Sequence, residues 1–212
     1  WNPKGWGKGV PRKLTSDANW KEPIKWAKQA VKDGVTRRVF CASLADVFDD
    51  EVPEKWRLGL SDLILDTEEI GGLEWLLLTK RPENIGRMFE DMSEVTNIRI
   101  GVTVENQEMA DKRLIEFLRI WKGKNFISVE PMLSEIWIGL KNIESIDWVI
   151  CGCESGSNAR PMNTDWARDL LRQCALANIP FFLKQMMVNG KLVVLPELDG
   201  KVWSEFPVGE GV

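Results

Sequence analysis

Apolar runs without alternation recur along this chain, and each run ends in charged or hydroxyl residues before an amphipathic helical pattern begins. Continuous apolar runs are typical of parallel strands that are covered on both faces. The pattern predicts six such strands, at residues 39–43, 75–81, 98–103, 126–130, 148–155 and 180–185. Their spacing of about 25 to 35 residues is that of a βα unit with its return loop. We therefore expect an α/β fold of parallel βα units over residues 38–185, either an open sheet or a (β/α) barrel, within a single domain at 1–212.

Helical spacing of apolar residues predicts five helices around these strands. They are expected over residues 19–33, from Pro53, from Pro82, over 106–121, and from Asn163 or Thr164. Gly34 and Gly123 follow the first and fourth of them as stop signals. The tail predicts a closing β-hairpin within residues 190–204, with its turn at Asp199-Gly200.

The polar residues that follow the strands are the candidate functional residues. Because parallel strands place their carboxyl ends at one edge, a site built from strand ends is expected there. The residues expected at this edge are Ser43, Lys80, Glu105, Glu130, Glu154 and Lys184.

The first two strand ends have structural alternatives to a binding role. Ser43 and Asp46 suit a ligand amine or hydroxyl, and they equally suit a helix cap and a turn. Lys80 and Arg81 suit a carboxylate or phosphate, and a salt-bridged rim is the alternative.

The later strand ends carry carboxylates and a glycine turn. Glu130 ends a buried strand before a proline, which favours a function, and a buried ion pair with Arg160 or Lys184 is the alternative. The segment from Glu154 to Arg160 also contains Ser155 and Asn158, a combination typical of an anion- or ribose-binding loop.

Composition narrows the chemistry. The 212 residues include neither His nor Tyr, so no mechanism within this chain uses a His base, a His metal ligand or a Tyr acid. A net charge of −4 provides no global basic field for nucleic acid, although local patches are compatible with it. The four cysteines are scattered, which favours a reducing, cytosolic compartment and buried thiols over a metal site.

Several motifs together resemble one known family. They are VFCASLADVF at 39–48, LLTKRPEN at 77–84, GVTVEN at 101–106, SVEPML at 128–133, IDWVI at 146–150, PFFLKQ at 180–185, and the segments 6–12 and 154–162. Taken in chain order, these motifs resemble the phage-type three-cysteine-motif family. That family is similar to radical S-adenosylmethionine (SAM) enzymes and to spore photoproduct lyase. The resemblance covers nearly the whole chain and implies a partial or complete TIM-like (β/α) barrel of the radical SAM type.

The chain departs from this family where a cluster would be bound. Family members have a W-N-P stretch followed by spaced cysteines that would ligate a 4Fe-4S cluster, and here Trp1-Asn2-Pro3 is followed directly by the segment expected after that loop. We expect the cysteine loop to be missing between residues 3 and 6, and the first barrel strand to lie upstream of Trp1. A second departure is Cys153, because the family has a Gly-Gly pair at 152–153.

The resemblance implies an enzyme that uses a 4Fe-4S cluster and SAM to abstract hydrogen from an unknown substrate, for which nucleic acid is one candidate. It assigns SAM binding to Ser43, Asp46, Lys80, Arg81, Thr103 and Glu105. It assigns catalysis to Glu130, Glu154 and Lys184, and substrate binding to Ser155, Asn158 and Arg160. No metal ligand is expected among these residues, because the cluster cysteines would lie in the missing loop.

Two other classes of function remain open from the sequence. One is a non-catalytic phage barrel module that binds a nucleotide, a nucleic acid or a protein, including a three-cysteine-motif partner protein. The other is a metal-independent hydrolase that uses Glu105, Glu130 and Glu154, which no known acid–base spacing supports. In each case we expect a cytoplasmic protein, in the host cell if it is phage-encoded, because no apolar run reaches the length of a membrane span.

Overall fold

The computed structural model describes residues 9–42, 45–89 and 92–207, which form a mixed α/β fold around one curled sheet. The strands are β1 (Arg37–Cys41), β2 (Leu73–Thr79), β3 (Ile98–Thr103), β4 (Asn125–Val129), β5 (Val149–Gly152), β6 (Phe181–Val188), β7 (Lys191–Val194), β8 (Glu197–Leu198) and β9 (Lys201–Val202). The helices are α1 (Asp17–Asp33), α2 (Glu54–Ile70), α3 (Ile85–Phe89), α4 (Gln107–Ile120), α5 (Leu140–Ile143) and α6 (Thr164–Ala177). A 3-10 turn, Pro82–Asn84, precedes α3.

The sheet follows chain order. Strands β1 to β6 are parallel, and each pairs with the next in sequence, while β7 pairs antiparallel with β6. Sequential parallel order is the arrangement of a (β/α) barrel, and the curled seven-stranded sheet is a half-barrel. The predicted parallel α/β architecture and its partial-barrel form are therefore confirmed.

The two faces of the sheet carry different residues because successive side chains alternate. On the helix-covered face, Trp75, Leu77 and Ile100 pack with residues of α2 to α6 in the main core. On the opposite face, called here the concave face, Leu76, Phe126, Trp148 and Ile150 form a second cluster. Gly101 makes room for this cluster, since a Cβ there would lie 2.4 Å from the Phe126 ring.

Helix ends follow capping residues in the sequence. Ser16 caps α1, and Gly34 ends it with φ 67°, in the left-handed region that favours glycine. Asn106 and Asn163 cap α4 and α6 by accepting hydrogen bonds from Met109 N and Asp165 N. The predicted bounds of these helices are therefore close to the observed ones.

The predicted tail hairpin at 190–204 is wrong in its pairing. Lys191–Val194 turns back at Asn189-Gly190 and pairs with β6, while the Asp199-Gly200 turn joins β8 to β9 in a separate, smaller hairpin. Asn-Gly is a strong two-residue hairpin signal, and here it outcompetes the longer connection.

The far edge of β6 is covered by two segments. Its upper half pairs with β7, and its lower half receives residues 203–205: Leu183 N donates to Trp203 O, and Glu205 N donates to Phe181 O. Trp148 Nε1 also donates to Glu205 O, at 2.9 Å. Residues 203–205 therefore cover the exposed edge of β6 near the amino end of that strand.

Two glutamines hold the segment that precedes α5. Gln107 accepts from Trp137 N and donates to Trp137 O, while Gln173 accepts from Ile138 N and donates to Ile136 O. The side-chain amides thus substitute for neighbouring strands on both sides of an extended segment.

The expectation of buried thiols is confirmed for three of the four cysteines. Trp75 and Trp148 are also buried, whereas Trp26 is 39% exposed. Cys151, Cys153 and Cys174 are buried free thiols. Among the described residues, no helix is both long and apolar enough to cross a membrane.

Candidate functional site

A cavity of about 370 Å³ opens at the carboxyl ends of the strands. It is lined by Lys80, Glu105, Asn106, Met109, Arg113, Pro131, Leu133, Glu154 and Arg160. These residues follow β2, β3, β4 and β5 or lie on α4, so the parallel order of the sheet brings them together. Four of the predicted site residues line it: Lys80, Glu105, Glu154 and Arg160.

Glu105 is held between two cations at the floor of the cavity. Lys80 Nζ lies 2.6 Å from Glu105 Oε1, and Arg113 Nη1 lies 2.7 Å from Oε2. Burial raises the pKa of this carboxyl, but the hydrogen bond and charge of Lys80, with Arg113 behind it, outweigh burial and hold the pKa below its usual value. Arg113 Nη1 also donates to Thr103 O, which ties α4 to the end of β3.

Glu154 and Arg160 form a clamp across one loop. Arg160 Nη2 donates to Glu154 Oε1, and both Nε and the backbone N of Arg160 donate to Oε2, each at 2.8 Å. These side-chain and backbone hydrogen bonds lower the pKa of Glu154 to about 2. Ser155 and Asn158 lie exposed on the same loop.

Glu130 is a largely buried carboxylate at this edge. Its Oε2 lies 3.3 Å from Lys184 Nζ and 3.5 Å from Ser128 Oγ, while its Oε1 is buried without a hydrogen-bond partner. Burial raises the pKa of Glu130 more than the nearby Lys184 lowers it. Oε1 lies against Gly152, where a Cβ would be only 2.5 Å away, so glycine is needed at that position.

A bulge in β6 aims two polar side chains at the concave side. Leu183 pairs with Cys151 and Gln185 with Gly152, so Lys184 is an extra residue in the strand. Lys184 thereby reaches Glu130, and Gln185 Nε2 donates to Cys153 O at 2.8 Å. The ion pair between Glu130 and Lys184 is the structural alternative to a functional role that the sequence offered for Glu130.

Asp46 organises the end of β2. It accepts from Phe48 N, Thr79 Oγ1, Lys80 N and Arg81 Nη1, at 2.9 to 3.1 Å. Arg81 lies 3.5 Å from Asp49, and Asp49 pairs with Arg12 of the N-terminal loop at 2.7 Å. These contacts match the structural alternatives, a turn at Asp46 and a salt-bridged rim at Arg81. The predicted binding of a ligand by Asp46 stays a prediction.

Two parts of the predicted site lie outside the described residues. One is Ser43, and the other is the stretch from Trp1 to Lys8 that contains the expected position of the cysteine loop. The nearest described segment is tied to the carboxyl edge, because Gly9 N donates to both carboxylate oxygens of Glu51.

Sequence reasoning missed residues that the cavity includes. Arg113 is seven positions after Asn106, two helical turns along the same face of α4, and this spacing could have found it. Gly152 carried no signal beyond its place in the strand, since its role depends on the close approach of Glu130.

Within residues 9–42, 45–89 and 92–207, no group of three or more His, Cys, Asp or Glu side chains is arranged to hold a metal ion. The carboxylates proposed for a hydrolase each face cations: Glu105 faces Lys80 and Arg113, Glu130 faces Lys184, and Glu154 faces Arg160. This arrangement supplies ion pairs where a hydrolase needs a matched acid and base.

Residues 3–207 match the model of a family described as a protein of unknown function, DUF5131. No curated protein and no solved structure matches the chain.

Proposed function

We propose that this chain, which belongs to the DUF5131 family of proteins of unknown function, is a phage-type, radical-SAM-like enzyme. It binds SAM at the carboxyl edge of the half-barrel and abstracts hydrogen from a substrate for which a nucleic-acid base is one candidate. The observation that carries the proposal is the open half-barrel of six sequential parallel strands with a polar cavity at its carboxyl edge. Because the barrel is open on one side, a ligand can reach its strand ends even when that ligand is too large for a closed barrel.

The described residues do not fit an iron–sulfur cluster. Among the described residues the cysteines are free, and no group of three or more His, Cys, Asp or Glu side chains could hold a metal ion. The proposed role of these residues is therefore confined to binding SAM and substrate.

The same residues suit the polar groups of SAM. Lys80 or Arg81 would face its carboxylate, with Ser43 and Asp46 at the amine and Thr103 and Glu105 at the ribose or sulfonium side. Glu130, Glu154 and Lys184 would then line the catalytic half, and Ser155, Asn158 and Arg160 the substrate half. Support comes from the position of the described members at one edge, and from the buried Glu130 carboxylate with its unpartnered oxygen.

The test uses the complete gene product, purified without oxygen. Iron and sulfide analysis and an absorption spectrum report the cluster, and chromatography reports 5′-deoxyadenosine formed from SAM under reduction. Isothermal titration with SAM is then repeated on Asp46→Ala and Glu130→Ala. Weaker SAM binding in variants that still fold supports the proposal. Variants that lose thermal stability yet bind SAM normally assign these carboxylates to the structure alone, and a cluster-loaded protein that neither binds nor cleaves SAM overturns it.

A second candidate is a non-catalytic barrel module that binds a nucleotide, a nucleic acid or a protein such as a three-cysteine-motif partner. It is favoured by the ion pairs of the cavity, in which Glu105 and Glu154 each face a cation where an enzyme would need a free acid or base. A complete gene product that holds no iron but retains a nucleotide would select this function. In both cases we propose a cytoplasmic site of action, in the host cell for a phage-encoded protein.

A further inference from the structure

We propose that the cavity contains a phosphate-binding subsite formed by Lys80, Arg113 and Arg160. We infer that the substrate of the proposed enzyme carries a phosphate group that binds there. The identity of the substrate rests on the proposed function, whereas the subsite rests on the geometry of the cavity alone.

Both carboxylates of the cavity are already paired with cations. Both oxygens of Glu105 accept charged hydrogen bonds, one from Lys80 and one from Arg113. Both oxygens of Glu154 accept from Arg160, whose backbone N adds a further bond. A ligand that enters the cavity therefore meets carboxylates whose charges are already paired with cations.

The cations of the same cavity have donors to spare. A lysine ammonium has three N–H groups and a guanidinium has five. The hydrogen bonds among the described residues engage Lys80 Nζ with Glu105 only, and they leave Arg113 Nε and Nη2 and Arg160 Nη1 without an acceptor. The cavity thus presents unused donors and positive charge, which selects an anion rich in acceptor oxygens.

The arrangement suits a phosphate better than a carboxylate. The three cations come from three elements: Lys80 from the end of β2, Arg113 from α4, and Arg160 from the loop after β5. Donors from three sides match a tetrahedral group with three terminal oxygens, whereas a carboxylate offers two oxygens in one plane. Asn106, the N-cap of α4, also lines the cavity and brings the positive end of that helix to it.

The probe is inorganic phosphate, titrated at constant ionic strength and followed by ³¹P line width and by calorimetry. We expect saturable binding that weakens about tenfold or more in Lys80→Met and Arg160→Met, because each removes a charged hydrogen bond. Arg172→Met is the matched control, since Arg172 forms an exposed ion pair with Asp169 on α6, away from the cavity. Its phosphate affinity should equal that of the wild type.

Glu154→Gln distinguishes a binding site from a structural ion pair. It removes the charge that competes for Arg160, so phosphate should bind about two- to fivefold more tightly. Glu154 is at the surface of the loop, so the variant is expected to fold. Equal phosphate affinity in the wild type and all four variants overturns the subsite, and so does weaker binding in Glu154→Gln.

Further titrations separate the sources of the phosphate and the two proposals. Adenosine 5′-monophosphate that binds more tightly than adenosine supports a nucleotide, and a single-stranded oligonucleotide that binds more tightly still supports a nucleic acid. If adenosine binds as tightly as its monophosphate, the inference about the substrate fails. A protein that shows the expected variant pattern with phosphate but does not cleave SAM retains the subsite and loses the proposed function. One that cleaves SAM without that pattern loses the subsite only.

Discussion

Replacing Gly152 by Ala tests the contact between β5 and Glu130. The added Cβ would lie 2.5 Å from Glu130 Oε1 and 3.3 Å from Gln185 Cγ, so the buried carboxylate must shift. Overpacking of this kind costs about 1–3 kcal/mol of unfolding free energy. For a chain of this length each kcal/mol lowers the melting temperature by about 2–4 °C, which gives a decrease of about 2–12 °C. Calorimetry or urea unfolding measures it.

Two comparisons isolate the cause. Gly59→Ala in α2 adds a Cβ with no atom within 4 Å, so it should stabilise the helix by about 0.5–1 kcal/mol. Glu130→Ala removes the group that Gly152→Ala would meet, so the double variant should lose about 0.5–3 kcal/mol less than the sum of the single variants. Additive losses, or a Gly152→Ala protein as stable as the wild type, would refute the contact.

Two further predictions concern the carboxylates. Burial raises the pKa of Glu130 in the folded state above its unfolded value, so the fold loses stability as pH rises from about 4.5 through the folded pKa. Glu130→Gln should therefore be more stable than the wild type at pH 7 and should lose that advantage near pH 4, in urea titrations at both values. Asp46→Asn should cost about 1–3 kcal/mol of unfolding free energy, because Asp46 accepts from Thr79 Oγ1 and three other donors. Asp50→Asn, which alters an exposed pair, should change stability little, and equal losses in the two variants would contradict the role of Asp46.

Much of the fold could be predicted because its signals are local. The run 75–78 is apolar at every position and the run 98–103 is apolar except at Arg99 and Thr103, which is typical of strands covered on both faces, and chain order then follows from short βα connections. The pairing of Lys191–Val194 could not be predicted in the same way. Two turn signals, Asn189-Gly190 and Asp199-Gly200, compete for that segment, and packing decides between them.

The location of the candidate site could be predicted from the sequence, but its ion pairs could not. Strand direction alone places Lys80, Glu105 and Glu154 around one cavity. Which cation faces which carboxylate depends on side-chain reach and on the bulge at Lys184, neither of which leaves a pattern in the sequence. Arg113 was missed because its helix was treated as a core element, although one of its faces reaches the strand ends.

The cover of β6 by residues 203–205 has a consequence during synthesis. The chain emerges from the ribosome from its amino end, and each parallel strand can join its predecessor as it appears. The lower half of β6 then stays an unpaired edge until Trp203 and Glu205 have also emerged. An open edge next to the apolar Phe181 and Leu183 is a template for pairing between nascent chains. Ribosomes that stall between Val188 and Trp203 would therefore release chains that aggregate, although nearly all of the sheet is present.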